Sequence, residues 1–347
     1  MSLFKEADGL PAGGGDLRVK LGPLSLDYPL INASGTMEIM DLAAAFGPDL
    51  LDDPPVAAYV AKTITLRPRD GNPPPRILET AGGMINAIGL QGEGLDAYLR
   101  DHLPGLLSLP RPLIVSIAGF SVQEYVLLAE GLRRALADHT ATDVGSPESS
   151  AGRDRGSQDW TRKVGLELNV SCPNVHSGCA SIGSDAVETE QVVAEVRAVW
   201  PGLLVAKLTP NVTDIAAIGQ AAERGGADAL AAVNTYKGLV IDRRTLRPYL
   251  GNTTGGLSGP AIKPLALRCV YELYQSVRVP LIGMGGVVSA QDVLDFMACG
   301  ARVVAIGAGL FRDPWLAENI AEDLATMLLE RGASLNDVVG AAHRPLS

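Results

Sequence analysis

The chain has 347 residues, of which 47% are hydrophobic and 20% charged, enough apolar material for a large core and too little charge for a disordered chain. A formal charge of −10 with no run of Lys or Arg argues against nucleic-acid binding, and no stretch of about 20 apolar residues is present to span a membrane. The four cysteines, Cys172, Cys179, Cys269 and Cys299, form neither a disulfide framework nor the ligand set of an iron–sulfur cluster, and the first 17 residues lack the apolar core of a signal peptide, so a reduced, cytoplasmic protein is expected.

In chain order, Leu17–Pro29 alternates apolar and polar residues around Gly22-Pro23 and reads as a hairpin. Eight short β-rich runs follow, at Leu30–Ala33, Tyr59–Ile64, Leu113–Ile117, Leu166–Val170, Leu203–Leu208, Ala229–Val233, Pro280–Met284 and Arg302–Ile306. Between them lie amphipathic stretches such as Val122–Ala137, Asp185–Val199, Asp214–Arg224, Pro264–Gln275 and Ala290–Ala298. Strand and helix alternating eight times predict an α/β fold, a (β/α)8 TIM barrel in one domain over 1–347, with the hairpin across the barrel floor. A doubly wound sheet would open with G-x-G-x-x-G after its first strand, and Asn32-Ala33-Ser34-Gly35 lacks that spacing. The segment Asp138–Trp160, rich in Ser, Gly, Asp and Thr, reads as a flexible surface insertion.

In such a barrel the active site lies at the carboxyl ends of the strands. Those ends present Ser34, Lys62, Thr63, Ser116, Asn169 to Asn174, Lys207, Asn234 and Thr235. Buried polar groups are costly unless bound, so a polar, planar ligand with several acceptors is expected. The last two strands end in Gly283-Met284-Gly285-Gly286 and Ile306-Gly307-Ala308, where glycines either make tight turns or let N–H groups approach a phosphate; two such turns on adjacent strands favour the phosphate. A lone lysine is usually a solvated charge, yet Lys62 and Lys207 share one mouth, and a lysine beside a flavin stabilises negative charge on its reduced ring. Cys269 and Cys299 lie in helix-like runs and fit small buried hydrophobes, and Cys179 in a glycine-rich loop is open to either reading. Cys172 differs because Asn169 and Asn174 flank it, and a thiol pKa near 8.5 suits a base with modest help.

Asn169-Val170-Ser171-Cys172-Pro173-Asn174 resembles the active-site loop of the dihydroorotate dehydrogenases. Asn86-Ala87-Ile88-Gly89-Leu90 is similar to that family's orotate-binding loop, Val233-Asn234-Thr235 to its second amide pair, and the segment from Asn252 to Pro264 to one typical of class 1B catalytic subunits. The resemblance runs from about Leu17 to Leu329 and skips 138–160. It implies FMN across the barrel mouth, with its phosphate on Gly285, Gly286, Gly307 and Ala308, near Gly259. Ser34, Lys62, Thr63, Asn169, Lys207 and Val233 match flavin-contacting positions, and Ser116 stands where the family usually has asparagine. Dihydroorotate would be held by Lys62, Asn86, Ala87, Ile88, Gly89, Leu90, Asn169, Asn174, Asn234 and Thr235, with Cys172 as the base. No metal site is implied. Ala308 replaces a common threonine beside the phosphate.

The resemblance further implies a homodimer at the core of a heterotetramer, whose second subunit carries FAD and an iron–sulfur cluster and passes electrons to NAD. Membrane-linked class 2 relatives use serine as base and carry an N-terminal extension; the cysteine here and the lack of such an extension fit a soluble class 1 enzyme. Other readings are a dihydropyrimidine dehydrogenase-like flavoenzyme, whose substrate lacks a carboxylate, and a non-redox phosphate-binding barrel.

Overall fold

A computed structural model describes residues 16–143, 159–170 and 182–345. Cys172, Asn174 and Cys179 lie outside the described residues.

Eight strands, Leu30–Asn32, Tyr59–Val60, Leu113–Ile117, Val164–Asn169, Leu204–Lys207, Ala229–Ala232, Leu281–Met284 and Ala301–Ile306, form one parallel sheet. Each pairs with its neighbour in sequence from the second to the eighth, except that the sixth pairs with the seventh across two strands of a separate sheet, and the eighth pairs with the first. The remaining seam, between the first and second strands, is joined through the Asn32 side chain and by the Ala57 N–H donating to Leu30 O at 3.0 Å. The result is the expected (β/α)8 barrel. Its strands are near-continuous apolar runs because helices cover one face and the barrel interior the other.

The strand interiors carry a few polar residues, and their period decides where these point. Glu167 and Asn169 are two apart and share a face, which the hydrogen bonds of Glu167 to Ser116 on the adjacent third strand and of Asn169 to Thr63 beyond the second strand place inside the barrel. The second strand is shorter than the expected Tyr59–Ile64. Ala61 N–H still bonds Ile114 O and Ile64 N–H bonds Ser116 O, while Lys62 and Thr63 between them leave the ladder and reach the mouth.

The helices start where short polar side chains can cap them. Asp185 accepts from Glu188 N–H, opening Ala186–Val199, and Asp214 accepts from Ala217 N–H, opening Ile215–Arg224, each at 3.0 Å. The helix starting at Val122 runs to Asp143, six residues beyond the expected end at Ala137. The polar run from Asp138 signalled exposure, and exposed residues continue a helix as readily as they form a loop. At the other end of the expected insertion, Asp159 caps a single turn at Trp160–Arg162, and Trp160 packs on buried Trp200 with ring centroids 5.0 Å apart. Of the span 138–160, residues 144–158 lie outside the described residues.

The hairpin pairs Val19–Leu21 with Leu24–Leu26, and Leu21, Leu24 and Leu26 are buried. Gly22 turns at φ +55° against Leu203, and Arg302 Nε donates to Lys20 O at 3.3 Å. Leu203 and Arg302 lie at the amino ends of the fifth and eighth strands, so the hairpin covers the barrel floor. At the opposite end is an antiparallel sheet that the sequence reading did not anticipate, in the order Tyr236–Gly238, Gly255–Ser258, Gly83–Asn86, Ile77–Thr80. Among the described residues no helix is long and apolar enough to cross a membrane.

Candidate active site

A cavity of ≈ 400 Å³ opens at the carboxyl ends of the barrel strands, beside the antiparallel sheet. That size falls within the usual small-molecule range of about 300–1,000 Å³. Of the residues singled out as cofactor contacts, Ser34, Lys62, Thr63, Asn169, Lys207, Val233, Gly259, Gly285, Gly286, Gly307 and Ala308 line it. So do Asn86, Ile88, Gly89, Leu90, Asn234 and Thr235 from the substrate set. Two do not. Ala87 is fully buried in a small cluster with Ile85 and Leu250, because alternation along the chain turns it away from the cavity. Ser116 is also fully buried, and its hydroxyl lies behind the cavity wall in a hydrogen-bonded network rather than on the wall itself.

That network crosses the barrel. Ser34 Oγ donates to Ala61 O at 2.9 Å and lies 3.0 Å from Thr63 Oγ1, which in turn lies 2.9 Å from Ser116 Oγ. Ser116 Oγ donates to Glu167 Oε1 at 2.8 Å, and Lys207 Nζ donates to the same oxygen at 3.3 Å. A second branch runs from Thr63: Asn169 Nδ2 donates to Thr63 Oγ1 at 3.3 Å, and Asn234 Nδ2 to Asn169 Oδ1 at 3.2 Å. Asn234 Oδ1 then accepts from Thr235 N–H at 2.8 Å. Shared partners fix the amide orientations, so the wall is a preorganised set of donors and acceptors and not a collection of free rotors.

The two lysines differ in setting. Lys207 is 5% exposed and paired with Glu167, whereas Lys62 is exposed to the cavity and makes no ion pair among the described residues. Both bring positive charge to the cavity wall, and Lys207 does so from a position held by Glu167.

At the other end of the cavity the wall is backbone. Gly259, Gly285 and Gly286 have φ of +97°, +132° and +80°, values that L side chains rarely adopt. A Cβ on Gly286 would come within 2.7 Å of Gly259 O, and one on Gly259 within 2.5 Å of Gly83 Cα. These glycines let three backbone segments meet. Gly307 is different: a Cβ there would meet nothing closer than 3.8 Å, so the room beside it belongs to the cavity. Outside the strand ladders and helices, no backbone carbonyl among the described residues accepts from the N–H groups of Gly286, Gly307 or Ala308. Orphaned amides converging on a cradle suit a phosphate. Asp292 steadies this loop, accepting from Val288 N–H and Ser289 Oγ, each at 2.9 Å, while also pairing with Lys263. The residues present therefore fit a ligand with a phosphate at one end and a polar, planar group at the other, as FMN is.

The segment Asn86–Leu90 is stitched in place from outside. Asn72 N–H donates to Ile88 O at 3.0 Å and its side-chain amide to Ala87 O at 3.1 Å, and Gly89, at φ +79°, passes so close that a Cβ would meet Asn72 at 2.7 Å. Leu90 follows at φ +58°, a left-handed conformation costing a bulky residue about 1–2 kcal/mol. The fourth strand is held at its end by buried Tyr125, whose hydroxyl donates to Asn169 O at 2.9 Å. Beyond it, Val170 O accepts from Gly183 N–H at 2.9 Å.

Sequence reasoning did not single out Glu167, Tyr125 or Asn72. Glu167 left a readable signal: one carboxylate in the run Val-Gly-Leu-Glu-Leu-Asn, two residues before Asn169 and so on the same face. Tyr125 and Asn72 left none, since each acts on a backbone carbonyl distant in sequence. No group of His, Cys, Asp or Glu among the described residues is arranged to hold a metal.

Comparison with known proteins accords with this geometry. The profile of the family described as dihydroorotate dehydrogenase matches residues 16–164 and 161–328. A protein of Desulforudis audaxviator named "Dihydroorotate dehydrogenase B (NAD(+)), catalytic subunit" is 45% identical over 327 residues, 94% of this chain and 97% of that one. Proteins of the same name from Trichlorobacter lovleyi and Geobacillus kaustophilus are 42% and 43% identical, over 94% of this chain and 98% and 96% of theirs. With a profile match across most of its length and relatives this similar from end to end, the chain belongs to the dihydroorotate dehydrogenase family.

Proposed function

We propose that this chain is the FMN-binding catalytic subunit of a dihydroorotate dehydrogenase, oxidising (S)-dihydroorotate to orotate in pyrimidine biosynthesis and passing the electrons through a partner subunit to NAD. The observation that carries this reading is the two-ended cavity: orphaned glycine amides at one end, and Lys62, Lys207, Asn169 and Asn234 at the other.

Bound there, FMN would accept the hydride leaving C6 of the substrate. Gly285, Gly286, Gly307 and Ala308, with Gly259 nearby, hold its phosphate through backbone N–H groups. Ser34, Lys62, Thr63, Asn169, Lys207 and Val233 surround its ring. Asn86, Asn169, Asn234 and Thr235 offer donors and acceptors to the imide edge of the substrate, as asparagine amides can. Ile88, Gly89 and Leu90 bound its pocket, Lys62 pairs with its carboxylate, and Asn174 joins the amides from beyond the fourth strand.

Cys172 removes the proton from C5. Its assignment rests on resemblance and on sequence position: it follows Asn169, which lines the cavity, with only Val170 and Ser171 between them. A thiol that must act near neutrality needs only modest lowering of a pKa near 8.5.

The partner is read as carrying FAD and an iron–sulfur cluster, on a homodimer of this chain within a cytoplasmic heterotetramer. The curated relatives' common name, a catalytic subunit linked to NAD(+), supports a partner. The whole chain, 1–347, is read as one domain.

The test is to assay the purified protein with an artificial acceptor on dihydroorotate and on dihydrouracil, which lacks the carboxylate. Turnover of the first and not the second is expected. Preference for dihydrouracil contradicts the substrate, and purified protein without flavin absorbance contradicts the redox reading.

A further inference from the structure

Glu167 stands directly behind Lys207. Both are buried, at 4% and 5% exposure, and Lys207 lines the cavity while Glu167 does not. The carboxylate takes the Lys207 ammonium at 3.3 Å and the Ser116 hydroxyl at 2.8 Å on one oxygen. Stability alone does not call for this arrangement, because replacing a buried ion pair by apolar residues of similar volume is often neutral or stabilising. What the pair does provide is a cation at the cavity wall with an anion fixed on its far side.

We propose that Glu167 is a positioning residue that sets the charge presented to the bound flavin, holding the Lys207 ammonium against the cavity and offsetting part of its field. The inference rests on the reading that the flavin ring lies beside Lys207. Reduced flavin carries more negative charge than oxidised flavin, so Lys207 favours the reduced form and raises the reduction potential. Glu167, farther from the ring, weakens that effect without cancelling it, since a charge acts as the inverse of its distance. The barrel thus holds the flavin at a lower potential than Lys207 alone would impose, easing transfer of its electrons onward.

The test is the midpoint potential of the flavin-loaded protein, measured by equilibration with a reference dye, alongside flavin affinity. Glu167→Gln keeps the shape and removes the charge; its midpoint is expected to rise, with the reduced-to-oxidised ratio at the wild-type midpoint increasing about tenfold. Lys207→Met is expected to lower the midpoint. If Glu167→Gln does not fold, the double variant Glu167→Gln/Lys207→Met buries no unpaired charge and replaces it; its midpoint should exceed that of Lys207→Met alone. A merely structural Glu167 would lower stability and flavin content without raising the midpoint. An unchanged or lowered midpoint in Glu167→Gln, or a double variant matching Lys207→Met, overturns the proposal. If Lys207→Met itself alters neither midpoint nor flavin affinity, the placement of the flavin is what fails.

Discussion

Asn32 closes the barrel onto Val60 with both ends of its side-chain amide: Nδ2 donates to Val60 O and Oδ1 accepts from Val60 N–H, each at 2.7 Å. The second strand is only two residues long, so a buried side chain does here what backbone pairing does elsewhere around the sheet. Asn32→Ala leaves a buried donor and acceptor unmet and is expected to cost about 2–4 kcal/mol. Denaturant unfolding measures this; a loss under about 0.5 kcal/mol, the scale of ordinary surface substitutions, would show that the seam holds without the amide.

The two kinds of glycine at the phosphate end separate fold from ligand. Gly286→Ala meets Gly259 O at 2.7 Å and a positive φ, so it should lower the thermal midpoint of the apoprotein as well as flavin affinity. Gly307→Ala meets no protein atom closer than 3.8 Å, so it should lower the thermal midpoint of the apoprotein less than Gly286→Ala does while weakening flavin binding. Equal flavin affinity in Gly307→Ala and wild type would mean that no ligand group comes close to that backbone.

Much of this was legible in the sequence because it is written in local pattern. Eight apolar runs with helices between them gave the barrel, and motif order brought Asn86, Asn169, Asn234 and the glycine turns to one mouth. The misses have a common cause. The sheet of Ile77–Thr80, Gly83–Asn86, Tyr236–Gly238 and Gly255–Ser258 has strands of three or four residues, too short to show a period, and its pairing of Gly83–Asn86 with Gly255–Ser258 joins residues 170 or more apart in sequence. Ser116 was expected at the flavin, yet its hydroxyl is taken by Thr63 and Glu167, and a partner from another strand leaves no mark near Ser116 itself. The helix end at Asp143 was missed because polar composition reports exposure, not conformation.

Asp292 should make the phosphate loop acid-sensitive. Burial opposes its charge, but hydrogen bonds from Lys263, Val288 N–H and Ser289 outweigh this and hold its carboxyl below the ordinary carboxylate range. A depressed folded pKa contributes stability that is fully present above the unfolded value, about 3.9, and is lost as pH falls through the lower folded value. Asp292→Asn should therefore melt below wild type near neutrality, with the gap closing as pH drops below about 4. A gap that stays constant across that window would show that the carboxylate's charge is not what steadies the loop.

Tyr125 anchors the end of the strand that leads to Cys172. Tyr125→Phe removes its hydrogen bond to Asn169 O and should destabilise the fold by about 1–2 kcal/mol. With Asn169 less firmly placed, dihydroorotate turnover should fall while flavin content stays near wild type. Unchanged turnover and unfolding free energy would reduce Tyr125 to a core aromatic.

The role proposed for Cys172 is to draw a proton from dihydroorotate beside a flavin in this cavity. The direct measurement is anaerobic mixing of flavin-loaded protein with dihydroorotate, following loss of flavin absorbance, in wild type and Cys172→Ala. Rapid bleaching is expected in wild type, and a rate about 10²–10⁴-fold lower in the variant near neutral pH, with flavin content unchanged. Bleaching at the wild-type rate in Cys172→Ala, or none in wild type, would contradict that role.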